Sequence, residues 1–213
     1  KVDFPRLFLN STIVTVIGAG IKVLLAITTA YALVFVKFPF RRVIFVGILV
    51  ALMVPSQVSL LPNYILIAGL GGANTYWGII LPGLGTAFGT FLLRQHFLSL
   101  PPEILEAAEL DGASKVRQFF SITLPMVSPT LFVVLIMRLM ASLKVYDLIY
   151  MMVEQTNPAL TSAQSLMYLF YRESFIAGNK GYASAIVVWT VLLIGLVTLV
   201  QFIGQKKWVN YEV

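Results

Sequence analysis

The chain has 213 residues, of which 59% are apolar and 11% charged, with a net charge of +6 and no cysteine. A soluble domain carries roughly 25% charged residues, so much of this surface faces something other than water. The absence of cysteine excludes disulfide frameworks, thiol catalysis and Cys-ligated metal sites, and the positive charge reads first as a topology signal rather than as nucleic-acid affinity.

Apolar runs near the length needed to cross a hydrocarbon core recur along the chain, and they predict an all-α, polytopic membrane bundle. Five spans are drawn, at about 12–36, 43–69, 75–93, 126–153 and 182–203. Lys22 interrupts the first, Pro55 and Pro62 the second, Pro82 the third, and Arg138, Lys144 and Asp147 the fourth. One set of span ends carries Lys37, Arg41, Arg42, Arg94, Lys115, Arg117, Lys206 and Lys207, the other only Lys1, Arg6, Arg172 and Lys180. Basic residues accumulate on the cytoplasmic side, so the loop after the third span and the C-terminus are expected inside and residue 1 outside. Lys1 is not an initiator Met and no cleavable signal pattern follows it. A further helix upstream is therefore expected, for six spans in all. The whole of 1–213 reads as a single transmembrane domain.

Residues 163–177 are aromatic and amphipathic but charged at Arg172 and Glu173. They suit a helix lying at the outer interface, or alternatively the start of an extended last span. Gly69–Gly72 and Glu154–Pro158 are turn-rich and expected outside.

The charged island between the third and fourth spans, about 99–125, is too structured for a mere connector. Pro101-Pro102 sets a helix start, followed by Glu103, Glu106 and Glu109, which suit an N-terminal turn. Gly112 lies where that helix stops in a left-handed residue. Ser114 is placed to cap a second helix running through Phe119-Phe120 to Pro125.

Glu106-Ala107-Ala108, three residues, Gly112, nine residues, Ile122, and then Leu124-Pro125 match the coupling loop of ABC importer permeases of the carbohydrate-uptake class. Phe8-Leu9-Asn10-Ser11, Ala30-Tyr31-Ala32, Phe38 with Arg41-Arg42, Asn74–Gly78 with Leu81-Pro82, and Phe91–Gln95 resemble the shorter permease subunit of maltose-type importers. Tyr168–Arg172, Gly181–Ala185 and Trp208–Glu212 are more similar to its partner subunit, as also found in glycerol-3-phosphate importers. The usual glycine-rich turn after Asp147 is replaced by Glu154–Pro158.

The resemblance implies a type I permease fold and a non-catalytic subunit in a bacterial or archaeal cytoplasmic membrane. Its implied partners are a second homologous permease subunit, two separate ATPase subunits that bind ATP and Mg, and an extracytoplasmic solute-binding protein. The substrate implied is a sugar, oligosaccharide or polyol phosphate. Glu106, Ala107, Ala108, Asp111, Gly112 and Ser114 then contact the ATPase, the small Ala107-Ala108 pair allowing a close approach. No nucleic acid and no cofactor in this chain are expected.

Ionisable residues within spans are costly and mark functional sites by default. Lys144, Tyr146 and Asp147 are candidates to line a substrate path, Tyr146 offering a face for a sugar ring. The plainer reading is a Lys144–Asp147 pair at i, i+3 that neutralises itself. Gln57 and Asn63, beside Pro55 and Pro62, mark a broken helix of the kind found near transporter binding sites, or a tolerated kink. Lys22 is left open, and Arg138 is expected against a partner helix or a lipid headgroup. His96 reads as an interfacial residue, and Gly178–Gly181 lacks the spacing of a phosphate-binding loop. The competing function is a stand-alone secondary transporter or channel, which calls for internal repeats and ionisable relays; no repeat is visible. An intramembrane enzyme needs a nucleophile or metal cluster, and none is visible in the sequence.

Overall fold

The structure is a computed structural model and describes residues 4–152 and 164–211. All regular secondary structure among the described residues is helical, without a β-strand. In chain order they form α1 (Phe4–Phe35), α2 (Arg41–Met53), a 3₁₀ turn (Ser56–Ser59), α3 (Leu60–Gly69), α4 (Tyr76–Ile80) and a second 3₁₀ turn (Leu81–Leu84). Then come α5 (Ala87–Ser99), α6 (Pro102–Leu110), α7 (Lys115–Gln118), a π-helical turn (Phe119–Thr123) and α8 (Leu124–Met126). After these are α9 (Ser128–Leu143), α10 (Asp147–Met152), α11 (Leu166–Tyr171) with a π turn (Arg172–Ile176), and α12 (Lys180–Gln205).

Two of these helices, Leu9–Phe35 and Lys180–Gln205, are long and apolar enough to cross a membrane alone. Three helix pairs reach that length only together, each bent by more than 40° at a break of four residues or fewer, giving up to five spans. The breaks follow the chemistry. Pro55 removes a backbone donor after α2, and the 3₁₀ turn with Pro82 and Gly85 separates α4 from α5. Val127 ends α8 before α9 at a bend of 73°.

The fourth predicted span differs from expectation. A single helix over 126–153 is not formed, because α9 stops at Leu143 and α10 begins at Asp147. Lys144 and Val145 donate their amides three residues back, to Ala141 and Ser142, which closes the helix with a tight turn. The Asp147 carboxylate accepts from the Leu148 amide at 3.0 Å, an arrangement a helix start favours and a helix interior does not. The predicted i, i+3 pair of Lys144 with Asp147 therefore has no helix to form on, and among the described residues no ion pair joins them.

Residues 166–176 form their own helix, separated from α12 by a turn at Gly178 with φ +71°; the alternative of one extended last span does not hold. Residues Glu154–Pro158 lie outside the described residues.

The chain packs as two compact units. One comprises residues 1–22, 54–85 and 137–199. Its core is Ile67, Ile79, Ile149 and Tyr168. The Tyr76 hydroxyl donates to Asn10 Oδ1 at 2.6 Å, and Ser165 Oγ donates to the Val145 carbonyl at 2.7 Å. Thr75 caps α4 by accepting from the Gly78 amide. Gly72 and Gly78 are glycines of necessity, since a Cβ on Gly78 would strike the Gly72 carbonyl and one on Gly72 would strike the Trp77 ring.

The other unit comprises 23–53, 86–136 and 200–213. Ala26 and Ala30, fully buried, bring α1 close to Leu93, Phe97 and Val127. Small residues permit such close helix contact. Tyr31 meets Phe97 and Phe119 edge-on. Phe132 packs between Phe202 and Trp208, and Ser128 Oγ accepts from the Asn210 amide at 2.8 Å, which fastens the C-terminal residues to the start of α9. His96, read from sequence as interfacial, shares a hydrogen bond of 2.6 Å with Thr130 Oγ1 and is half-buried.

Candidate functional site: the helix-turn-helix at 102–126

Pro101 precedes α6 in extended conformation and Pro102 opens it, where a missing amide costs nothing. Glu103 lies in the first turn, complementing the helix dipole. The helix ends in a Schellman motif: the Ala113 amide donates to the Ala108 carbonyl at 2.9 Å and the Gly112 amide to the Glu109 carbonyl at 3.0 Å. Gly112 has φ +77°, as its position after Leu110-Asp111 predicts. Ser114 is extended, and its hydroxyl accepts from the Arg117 amide at 3.3 Å. Both the predicted helix stop and the predicted cap are formed. Glu109 and Lys115 pair across the turn, at an exposed position where such a pair contributes little stability.

Glu106, Ala107, Asp111, Gly112 and Ser114 are exposed, and Leu110 is 90% exposed. Ala108 differs from Ala107 in exposure, although the resemblance places both among the ATPase contacts. It is buried at 7% exposure, being one residue, or 100°, around the helix from Ala107. Its carbonyl closes the Schellman turn.

Gln118 is a residue that sequence reasoning passed over. It is 4% exposed, and its side-chain amide donates to the Ala113 carbonyl at 2.8 Å. The turn is therefore held from both sides, by the glycine conformation and by a buried amide. Its one sequence signal was a polar residue adjoining the aromatic Phe119-Phe120. Past it, the second helix widens into the π turn before α8. Thr28, Tyr31, Lys115, Val116, Phe119 and Phe120 border a groove of about 290 Å³ in this unit.

The candidate path residues lie in the other unit. Tyr146, 39% exposed, stacks on Tyr171 with ring centroids 5.6 Å apart, and Tyr150 meets Tyr171 edge-on at 5.5 Å. Sequence spacing missed this aromatic group, because Tyr171 comes from α11; the density of aromatics in 168–175 was the available signal. Lys144 is exposed and Asp147 half-buried. Gln57 is exposed on its 3₁₀ turn and Asn63 half-buried on α3, and among the described residues no hydrogen bond joins either to the 144–147 segment. Lys22 directs its ammonium toward Gly83, where a Cβ would come 3.1 Å from Nζ. Arg138 is half-buried.

The sequence from residue 22 to 208 matches the model of the family described as binding-protein-dependent transport system inner membrane component, and the chain belongs to that family. Among curated relatives, an sn-glycerol-3-phosphate transport system permease protein, UgpE, of Agrobacterium fabrum is 42% identical over 125 residues, covering 59% of this chain and 44% of the relative. Its counterpart in Pectobacterium atrosepticum is 40% identical over 123 residues, covering 58% and 44%. The matches thus span less than half the length of these relatives.

Among solved structures, a bacterial ABC transporter involved in the import of the acidic polysaccharide alginate superposes with a TM-score of 0.77 at 17% identity, covering 99% of this chain and 81% of that one. The MetNI methionine ABC transporter superposes at 0.69 and 15% identity, covering 96% and 95%. The chain therefore has the helical membrane fold of an ABC importer permease, and membership of the family leaves the stand-alone transporter or channel without support.

Proposed function

We propose that this chain forms half of the translocation path of an ATP-driven importer and that the helix-turn-helix at 102–126 receives the stroke of a separate ATPase subunit. In this reading the complete complex holds a second homologous permease, two ATPases that bind ATP and Mg, and an extracytoplasmic solute-binding protein. The chain itself is non-catalytic. Its C-terminus and the helix-turn-helix face the cytoplasm.

The observation that carries the reading is the combination of a rigid turn with an outward face. Glu106 and Asp111 present carboxylates, Leu110 presents an apolar knob, and Gly112 fixes the angle between α6 and α7. An element that transmits a push must hold its shape, and this one is locked by the Schellman bonds and by Gln118. The names of the relatives favour sn-glycerol-3-phosphate or a related polyol phosphate or sugar as the substrate. Tyr146 and Asp147 are the path residues in this reading, with Lys144, Gln57 and Asn63 as further polar groups along it.

The test is ATP hydrolysis and uptake by reconstituted complexes carrying Glu106→Lys or Gly112→Val. Both activities are expected to fall together while the two permease subunits still assemble. Glu106→Lys should be rescued by a reciprocal charge change in the ATPase, whereas Gly112→Val should not, its defect being conformational. Normal coupled activity in both variants would remove the coupling role.

A further inference from the structure

Four cations gather where α1 hands over to α2. Lys37, Arg41 and Arg42 lie exposed on and beside the connecting turn, and Arg94 comes from α5 of the same unit. The Arg94 guanidinium sits 3.8 Å from the centroid of the Phe45 ring, which stacks in turn on Phe91 at 6.4 Å. A cation–π contact of this kind fixes the guanidinium without neutralising it. Its Nε is buried and has no hydrogen-bond partner, and Arg41 lies near enough to repel it. Arg41 and Arg42 also occupy the first turn of α2, where the helix dipole disfavours positive charge and no acidic residue offsets it. Among the described residues the ion pairs are Glu109–Lys115 and Arg172–Glu173, so no carboxylate there serves this group.

The surroundings indicate what would neutralise it. Phe40, between the basic residues, is 76% exposed and held at φ +62°, a costly conformation for an aromatic residue. None of the side chains of α2 is buried, and Val43, Ile44, Val46 and Val50 continue an exposed apolar strip away from the charges. The carboxylate surface of a soluble protein would match the cations but not this strip. A phosphodiester with two acyl chains matches both: its anionic oxygens suit arginine forks, and its chains suit the exposed strip. Basic pockets between membrane helices are known headgroup sites.

We propose that Lys37, Arg41, Arg42 and Arg94 form a headgroup site for an anionic phospholipid whose acyl chains lie along α2, with Phe40 inserted at the level of the glycerol backbone. The inference rests on membrane embedding, its test on the complex of the proposed function, and it is independent of the substrate and of what the helix-turn-helix transmits.

The test is lipid retention by the intact transporter complex, purified from nanodiscs of mixed phosphatidylglycerol and phosphatidylcholine and read by native mass spectrometry. Wild type should retain phosphatidylglycerol selectively. Arg42→Gln, at an exposed position that the fold does not need, should weaken retention about fivefold, and Arg41→Gln with Arg42→Gln by more than tenfold, as expected for charges beside an anionic lipid surface. Arg94→Lys, which keeps the charge and the ring contact, should retain more lipid than Arg94→Gln. Millimolar inorganic phosphate should not compete, since it lacks the acyl contacts. Equal retention by wild type and the double variant would overturn the proposal. So would loss of the ATPase subunits from the variants in every lipid mixture, which would make the basic group a protein-docking surface.

Discussion

Gly112 illustrates how one residue sets the geometry of a whole surface. Its φ of +77° ends α6, and an added Cβ would meet nothing within 4 Å. The cost of substitution is therefore backbone strain, roughly 1 kcal/mol for alanine, and more for a β-branched side chain. Asparagine visits the left-handed region far more readily than valine, so Gly112→Asn should preserve most of what Gly112→Val loses. Hydrogen–deuterium exchange checks this directly. The Ala113 amide, which donates to Ala108, should exchange faster in the valine variant by close to the factor of five or more that roughly 1 kcal/mol implies, and near the wild-type rate in the asparagine variant. Gln118 acts on the same turn. Gln118→Ala should open it by about 1 kcal/mol, and its effect should not add simply to that of Gly112→Val, because both act on the Ala113 hinge.

At the scale of an element, the break between α9 and α10 separates two roles for Asp147. Its carboxylate meets the Leu148 amide at the start of α10, and it adjoins Tyr146, whose ring rests on Tyr171. An asparagine side chain keeps an oxygen that can accept from the Leu148 amide as Asp147 does, so Asp147→Asn keeps that bond and removes only the charge. With Asp147 in the path, Asp147→Asn and the double change Tyr146→Ala with Asp147→Ala should both lower uptake, the double change by on the order of tenfold, equivalent to one well-made polar contact. Uptake is to be measured against the amount of assembled complex. A fall in the alanine variant alone would give Asp147 a structural role at the start of α10, and unchanged uptake in both would remove the pair from the path.

For the whole molecule the open question is orientation, and the basic asymmetry answers it with a prediction. Leu70, 62% exposed beside the Gly71 turn, is expected outside, and Val116, 68% exposed on α7, and Gln205, at the end of α12, inside. The chain has no cysteine, so single cysteines at these positions report without interference. Val116 is preferable to Ser114, whose hydroxyl caps α7, and Leu70 to Gly71, whose φ is +78°. Labelling by an impermeant maleimide in intact cells should be strong at 70 and weak at 116 and 205; the opposite pattern reverses the topology. The long exposed apolar faces of α2 and α12, with Trp189 70% and Val46 55% exposed, are what a lipid-embedded subunit presents, since surfaces of that extent are not left to water.

Much of this was legible in the linear chain, for a physical reason. A proline at a helix start, a glycine in a left-handed turn and a serine cap act within four residues of themselves, so Pro102, Gly112 and Ser114 could be placed without knowing what lies beside them. Hydrophobic length is likewise additive along the chain, which is why α1 and α12 coincide with predicted spans. What only the tertiary structure decided depends on neighbours remote in sequence. Ala108 is buried while its neighbour Ala107 is exposed, a difference that adjacent positions in the sequence do not announce. Tyr146 found Tyr171 across a gap of 25 residues, and Asn10 found Tyr76 across 66. The helix over 126–153 divided at Leu143 because turn bonds and a carboxylate at a helix start formed at the interruption by Lys144 and Asp147; hydropathy registers those charges but not the break, since it sums transfer energies and is blind to where the backbone hydrogen bonds go.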